Sequence, residues 1–162
     1  MKPLPHRYHV RLVGGKAPYG CLTAAGLTPL ETAAPADFGG PGDAWSPEHL
    51  LLAAVQSCFL FTFGAVSRAS KVDFDRLDIE AAGVVDRDQG VTRFADIVLT
   101  VRVTVPAGSD HQQLLRLIAR TEKNCLVSAS LSTRVRVEPE IYTCGAEPVE
   151  SHDLPDDCHI RA

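Results

Sequence analysis

The sequence has little of what a nucleic-acid-binding protein or a disulfide-linked secreted protein needs. Its 162 residues include 16 lysines and arginines against 20 aspartates and glutamates, a formal net charge of −4. Nucleic acid is therefore not an expected partner. No apolar run follows Met1, so we expect no signal peptide and a cytoplasmic location. Five cysteines without a secretion signal favour reduced thiols over a framework of disulfides.

The chain also has no internal repeat and no change of composition that would divide its main part. Its length suits a single domain, which we place at residues 1–142. Residues 143–162 are acidic, contain prolines and are predicted to form a loosely attached tail. The tail has zinc-compatible side chains but not the paired C-x-x-C spacing of structural zinc sites, so no metal and no cofactor is predicted. These side chains are Cys144, His152, Cys158 and His159.

Only one long hydrophobic run is present, residues 45–66. Ser46 is suited to cap a helix, Pro47 to occupy its first position, and Glu48 to face the positive end of the helix dipole. The run is long enough to be mistaken for a membrane span. Because Glu48, His49 and Gln56 interrupt it, we predict a core helix that is buried on most faces, and no membrane partner.

The other patterns predict short strands and a second helix. Alternation of apolar and polar residues is typical of a strand with one buried face. Together these patterns indicate an α+β fold, with antiparallel sheets packed on a long buried central helix and a second helix. Because a helix this apolar is hard to cover within one small chain, we expect an intertwined homodimer. The predicted strands are 8–13, 21–24, 29–32, 77–85, 94–105 and 134–141, and the second helix runs from a cap at Ser109 to Asn124.

Two cysteines have distinctive surroundings. Cys58 lies in the middle of the apolar helix, and Cys125 directly follows the second helix. A cysteine in an apolar helix is commonly a small buried hydrophobic residue. A nucleophilic cysteine needs a cation or a helix N-terminus to stabilise its thiolate. The residue types alone leave both readings open.

Several motifs together resemble the OsmC/Ohr family of thiol-dependent peroxidases, and in particular its broad OsmC-like branch. The helix start SPEHL is followed by Cys58 ten residues after Glu48, and Cys125 opens the segment CLVSAS. The loop FGGP before the helix also fits, as does the order of elements over residues 8–141. Each motif is weak alone, but their combination is specific.

The resemblance implies a homodimer with two active sites at its interface, acting on organic hydroperoxides. Cys58 would match the peroxidatic cysteine, which attacks the O–O bond and becomes a sulfenic acid. Cys125 would match the resolving cysteine, which forms an intramolecular disulfide that an external thiol or dithiol then reduces. Glu48 would match the glutamate that orients an arginine beside the reactive sulfur.

Helix geometry limits what Glu48 can do. Ten residues of helix span about 15 Å, so Glu48 cannot touch Cys58 of its own helix. If it serves a site, that site contains the partner subunit's Cys58, with the two helices antiparallel across a two-fold axis. The alternative is a first-turn carboxylate that only complements the helix dipole.

The cation of the proposed site departs from the family pattern. The resemblance places an arginine in the first hairpin after a glycine pair, whereas Gly14-Gly15 is followed here by Lys16. Lysine lacks the planar fork of arginine, and Arg11 or Arg7 would substitute in a different register.

The pocket is predicted to prefer apolar hydroperoxides. The alternative function is a non-peroxidase that binds or senses small apolar or electrophilic ligands. The predicted pocket lining is Leu51, Leu52, Phe59 and Phe61.

Overall fold

The computed structural model describes residues 3–143, which form two three-stranded sheets and three α-helices. The predicted α+β class is confirmed. Of the predicted tail only Thr143 is described, and the candidate zinc ligands from Cys144 to His159 lie outside the described residues. In chain order the elements are β1 Arg11–Gly14, β2 Tyr19–Thr23, β3 Leu30–Ala33, α1 Pro47–Ser70, β4 Arg76–Asp88, β5 Val91–Val105, α2 His111–Asn124, α3 Leu126–Ala129 and β6 Val135–Thr143.

The first sheet is the predicted antiparallel meander, in the order β1-β2-β3. Its first strand begins at Arg11, three residues later than predicted, and all four of its residues are exposed. The sheet makes few contacts with the helices or with the second sheet. A bridge between Thr32 and Trp45 joins it to the start of α1. The hairpin that holds Arg11 and Lys16 therefore stands apart from the core of its own chain.

The second sheet has the order β4-β5-β6. β4 and β5 form an antiparallel hairpin whose turn uses positive φ angles at Gln89 (49°) and Gly90 (82°). The prediction of purely antiparallel sheets is wrong for β6, which pairs with β5 in parallel. The reason is that α2 and α3 carry the chain back across the sheet before β6 begins, as a parallel connection requires.

Alternate residues of β5 provide the centre of the core. Those that face the helices are at most 1% exposed, whereas their neighbours on the other face are partly exposed and polar or β-branched. This period-two pattern is the one that predicted the strand. The buried residues of β5 are Ile97, Leu99, Val101, Val103 and Val105.

α1 begins as predicted at a cap formed by Ser46, whose hydroxyl oxygen accepts from the backbone amide of His49 at 3.3 Å. The ring of His49 in turn lies 3.4 Å from the backbone amide of Ser46, which completes a capping box. Gln56, which interrupts the apolar run, donates to the carbonyl of Ile79 in β4 at 2.8 Å. The helix ends at Ser70, and Lys71 caps it with a φ of 53°.

Only one face of α1 is buried, so the prediction of a helix buried on most faces is wrong for the single chain. Val55, Phe59 and Phe63 recur every four residues and pack into the core with β5. The opposite face is also apolar, and Phe61 is 74% exposed there. By length and composition α1 could span a membrane, with a mean hydropathy of 1.9 over 18 residues. Its packed face nevertheless makes it part of a globular core.

α2 covers the same core beside α1. Its buried stripe consists of Leu114, Leu117, Ile118 and Thr121. The predicted cap at Ser109 is wrong by one residue, because the carboxylate of Asp110 accepts from the amides of Gln112 and Gln113. Ser109 instead donates to the carbonyl of Pro106 within the preceding turn. α2 ends at Asn124, and this places Cys125 against α1.

Candidate active site

The structure brings Cys58 and Cys125 together although they are far apart in sequence. Cys58 lies in the middle of α1 and is partly exposed, whereas Cys125 joins α2 to α3 and is fully buried. Both are free thiols, and their side chains are in hydrogen-bonding contact. No long movement of the backbone is needed to bring the two sulfurs together.

The sulfur of Cys58 accepts several hydrogen bonds. The backbone amide of Val127 donates to it at 3.4 Å. Burial by itself raises the pKa of Cys58, but the amide of Val127, the thiol of Cys125, the hydroxyl of Thr62 and the amide of Leu126 together bring that pKa below its ordinary value. Leu126 and Val127 begin α3, so their amides are not used within the helix. These donors favour the thiolate of Cys58.

Cys125 has the opposite electrostatic character. Burial raises the pKa of its thiol, and the neighbouring Cys58 raises it further. The hydroxyl of Ser128 donates to its sulfur at 3.1 Å and opposes this shift only in part. As pH rises, Cys58 therefore loses its proton before Cys125 does. The pair consists of one thiol suited to act as a nucleophile and one that stays protonated beside it.

A groove of about 550 Å³ opens beside Cys58 between α1 and α2. Of the four residues predicted to line the pocket, only Phe61 does so. Phe59 shares the core face of α1 with Val55 and Phe63, and Leu51 and Leu52 pack against the same core. The residues that line the groove are Cys58, Phe61, Thr62, Ala65, Val66, Ala69, Arg120 and Asn124.

Two of these residues, Arg120 and Asn124, are not among the site residues predicted from the sequence. The signal was present, because Arg120 and Asn124 are one helical turn apart directly before Cys125 and thus share a face of α2. What the sequence did not indicate is that this face borders α1.

Arg11 and Lys16 do not line the groove of Cys58 in the same chain. Arg11 lies in β1, where it lines a separate pocket with His9 and Thr23. Lys16 is exposed in the turn between β1 and β2. One chain by itself therefore leaves the predicted cations away from the two thiols.

Glu48 lies in the first turn of α1 and has an unsatisfied oxygen. Its Oε2 atom is buried and has no hydrogen-bond partner among residues 3–143. A buried carboxylate oxygen without a donor costs free energy, so such atoms are normally paired. The rise of the helix keeps this group about 15 Å from Cys58 of the same chain.

No cluster of metal ligands accompanies the thiols in the part of the chain that is described. Across residues 3–143, no group of three or more His, Cys, Asp or Glu side chains is placed to hold a metal ion. The chemistry available at the groove is that of a thiolate, a neighbouring thiol and a guanidinium group.

Comparison with known proteins identifies similar sequences and folds. The family model described as OsmC-like protein matches residues 40–140. An uncharacterized protein of Bacillus subtilis, YmaD, is 27% identical over 109 residues, which are 65% of this chain and 73% of that protein. An OsmC-like protein of unknown function from Vibrio cholerae has a similar structure, with a TM-score of 0.77 and 16% identity over 84% of this chain and 100% of the other. An organic hydroperoxide resistance protein from Elizabethkingia anophelis has a TM-score of 0.70 and 20% identity, covering 88% and 99% of the two chains.

Proposed function

Since the chain belongs to the OsmC-like protein family, we propose that it is a thiol-dependent peroxidase that reduces organic hydroperoxides in the cytoplasm. The observation that carries the proposal is the contact between two free thiols whose pKa values are shifted in opposite directions, lower for Cys58 and higher for Cys125. Among proteins of similar fold, some are called organic hydroperoxide resistance proteins.

The reaction begins at Cys58. Its thiolate attacks one oxygen of the hydroperoxide, an S–O bond forms, and the O–O bond breaks. The alkoxide takes up a proton and leaves as an alcohol, so that Cys58 becomes a sulfenic acid. The sulfur of Cys125 then attacks that of Cys58, and the hydroxyl group leaves with the proton of Cys125 as water. An external thiol or dithiol reduces the resulting disulfide and restores both thiols.

The active form in this proposal is a homodimer. The exposed apolar face of α1, with Phe61 at its centre, would be covered by a second copy of the chain. In the antiparallel arrangement of two α1 helices, Glu48 lies near the partner subunit's Cys58. A cation of the detached first hairpin, Lys16 or Arg11, supplies the donor that the buried oxygen of Glu48 lacks.

The proposal is tested by measuring consumption of cumene hydroperoxide with an excess of dithiol. Cys58→Ser is expected to abolish consumption. Cys125→Ser is expected to support a single turnover with dithiol absent, leaving a sulfenic acid that dimedone labels. Cys21→Ser is the matched control, because Cys21 is an exposed thiol on β2. Full activity of the Cys58→Ser variant would contradict the mechanism.

A second candidate function is binding or sensing of small apolar or electrophilic ligands without turnover. It is favoured by the hairpin, which has Lys16 where the family resemblance implies an arginine. The two functions are separated by titrating free thiols before and after one equivalent of hydroperoxide. A peroxidase loses two thiols per chain, forms no crosslink between chains and releases one equivalent of alcohol. A protein that only binds such ligands, or whose thiols react only with carbon electrophiles, keeps its thiols.

A further inference from the structure

The outer side of α2 carries a row of cations. Arg116, Arg120 and Lys123 follow one another at spacings of four and three residues, so they lie along one side of the helix. All three are exposed, and the buried stripe of α2 lies on the other side. Glu122, the one acidic residue within α2, is turned about 100° away from Lys123. The three cations form the basic face of α2.

Little within residues 3–143 offsets the charge of the basic face. Arg116 lies 3.8 Å from Asp110, but both side chains are more than half exposed, so this ion pair contributes little. Arg116 and Arg120 are one helical turn apart, and like charges at this spacing destabilise a helix. The helix dipole favours a cation in the last turn, which accounts for Lys123 and not for Arg116. An acidic segment placed along this face would therefore be stabilising.

The negative charge of the chain is concentrated in residues 144–162. This segment has five aspartates and glutamates and a single arginine, which accounts for the whole net charge of −4. Its charge is thus opposite to that of the basic face of α2, and the two are electrostatically complementary. The acidic residues of the segment are Glu147, Glu150, Asp153, Asp156 and Asp157.

The fold brings the beginning of this segment close to the beginning of α2. β6 runs parallel to β5, and Thr143 at its end pairs with Val105 at the end of β5. α2 begins six residues after Val105 and contacts β6. The fourteen residues from Cys144 to Asp157 span up to about 46 Å when extended, whereas α2 is about 21 Å long. The acidic residues can therefore reach the whole basic face of their own chain.

We propose that residues 147–157 dock on the basic face of α2 in the same chain, through ion pairs with Arg116, Arg120 and Lys123. Arg120 also lines the groove beside Cys58. The docked segment therefore lies along the edge of that groove and restricts access to the sulfur of Cys58. Salt weakens the docking, because the Debye length falls from about 10 Å at 0.1 M ionic strength to about 3 Å at 1 M. The proposal does not depend on the peroxidase function.

The first experiment measures proximity with a nitroxide label on Cys158 of the full chain, in which the other four cysteines are replaced by serine. At low salt the label should broaden the amide NMR signals of residues 116–124 and leave those of Gln89 and Gly90, in the β4–β5 turn, sharp. At about 1 M salt the broadening should be lost.

Charge exchange provides the control for this experiment. Reversal of the basic face by Arg116→Glu, Arg120→Glu and Lys123→Glu together should abolish the broadening. Replacing the five acidic residues of the segment by lysine in the same chain should restore it, because the two charges are then exchanged. Absence of broadening in the unreversed chain at low salt, or broadening that survives the reversal, overturns the proposal.

A mixed sample distinguishes docking within one chain from docking on a second copy. Nitroxide-labelled chains without ¹⁵N are unfolded and refolded together with ¹⁵N chains that carry no label. Docking in the same chain predicts sharp signals for residues 116–124 in this sample. Broadening there would assign the segment to α2 of a second copy and contradict the proposal.

The second experiment measures access to Cys58. Its alkylation by iodoacetamide is followed in the wild type at a pH at which Cys58 is fully ionised. Replacing the five acidic residues of the segment by their amides should raise the rate about tenfold at low salt, as expected if the undocked form is about a tenth of the population. At about 1 M salt the two rates should be equal. Equal rates at low salt would show that the segment leaves the groove open, contrary to the proposal.

Discussion

At the scale of single residues, the chemistry of Cys58 depends on donors rather than on a nearby cation. The amides of Leu126 and Val127, the hydroxyl of Thr62 and the thiol of Cys125 all direct hydrogen atoms at its sulfur. Hydrogen bonds to a charged group stabilise the charged form, so they lower the pKa of the thiol against the effect of burial. This explains how a cysteine in an apolar helix can be reactive although Lys16 and Arg11 are distant in the chain.

Thr62→Val tests this account. The substitution removes one donor from the thiolate and keeps the volume of the side chain nearly constant, so the pKa of Cys58 should rise. Because the thiolate is the reactive form, the pH at which alkylation by iodoacetamide reaches half its maximal rate should move upward. Below that pH, alkylation should slow by about tenfold. The rate is followed by mass spectrometry of the peptide that contains Cys58.

The control for Thr62→Val is Ser57→Ala. Ser57 lies next to Cys58 on α1, but its hydroxyl donates to the carbonyl of Ala53 at 2.8 Å and not to the sulfur. The pH profile of Ser57→Ala should match that of the wild type. An unchanged profile in Thr62→Val would show that the backbone amides alone set the pKa.

At the scale of elements, the site depends on where α1 begins and where α2 ends. The loop between β3 and α1 contains a turn over Ala36–Phe38 that ends at Gly39 with a φ of 77°. The amide of Gly40 then donates to the carbonyl of Pro35 at 3.0 Å. This tight return leads the chain to the cap at Ser46. At the other end, the last turn of α2 places Cys125 at the first turn of α3, whose free amides face Cys58.

Gly40→Ala is expected to destabilise the protein strongly. A Cβ atom at this position would overlap the backbone carbonyl of Ala34, which cannot rotate away as a side chain can. We expect a loss of about 2 kcal/mol or more in the free energy of unfolding, in the range typical of overpacking. Chemical denaturation followed by circular dichroism measures it. Gly15→Ala is the matched control, because no atom lies within 4 Å of its Cβ position and its stability should be nearly unchanged.

At the scale of the whole molecule, apolar surface remains uncovered on two separate parts of the chain. One face of α1 packs on the second sheet, but Phe61 on its other face is 74% exposed. The first sheet exposes Leu12 and Val13 on a hairpin that has few contacts with the core. Exposed apolar surface is typical of association sites, and in the proposed homodimer these two parts would be covered by the partner subunit.

Phe61→Glu is therefore expected to convert the proposed dimer into a monomer. The substitution would bury a carboxylate in the contact between two α1 helices. Burial of a charge in apolar surroundings without a partner costs free energy, so the contact would be lost. Sedimentation velocity at micromolar concentration measures the change. The control is Val91→Glu, which should remain a dimer. Val91 is 59% exposed and lies at the tip of the β4–β5 hairpin. A wild-type protein that sediments as a monomer would contradict the arrangement.

The elements themselves were determined by local sequence. The alternation from Ile97 to Val105 fixes which side chains of β5 face inward, and Ser46 with Pro47 fixes the start of α1, because strand period and helix capping depend only on neighbouring residues. The motifs around Glu48, Cys58 and Cys125 were also visible as a pattern along the chain. They indicated the family but not the environment of each group.

Only the tertiary structure decided how these pieces meet. The parallel pairing of β6, the donation from Val127 to the sulfur of Cys58 and the position of Arg120 beside α1 all join residues that are far apart in sequence. Such contacts depend on the packing of whole elements around a shared core, and the local preferences of the residues are compatible with more than one packing. The sequence thus determined which groups are available, whereas the fold determined which of them share a groove.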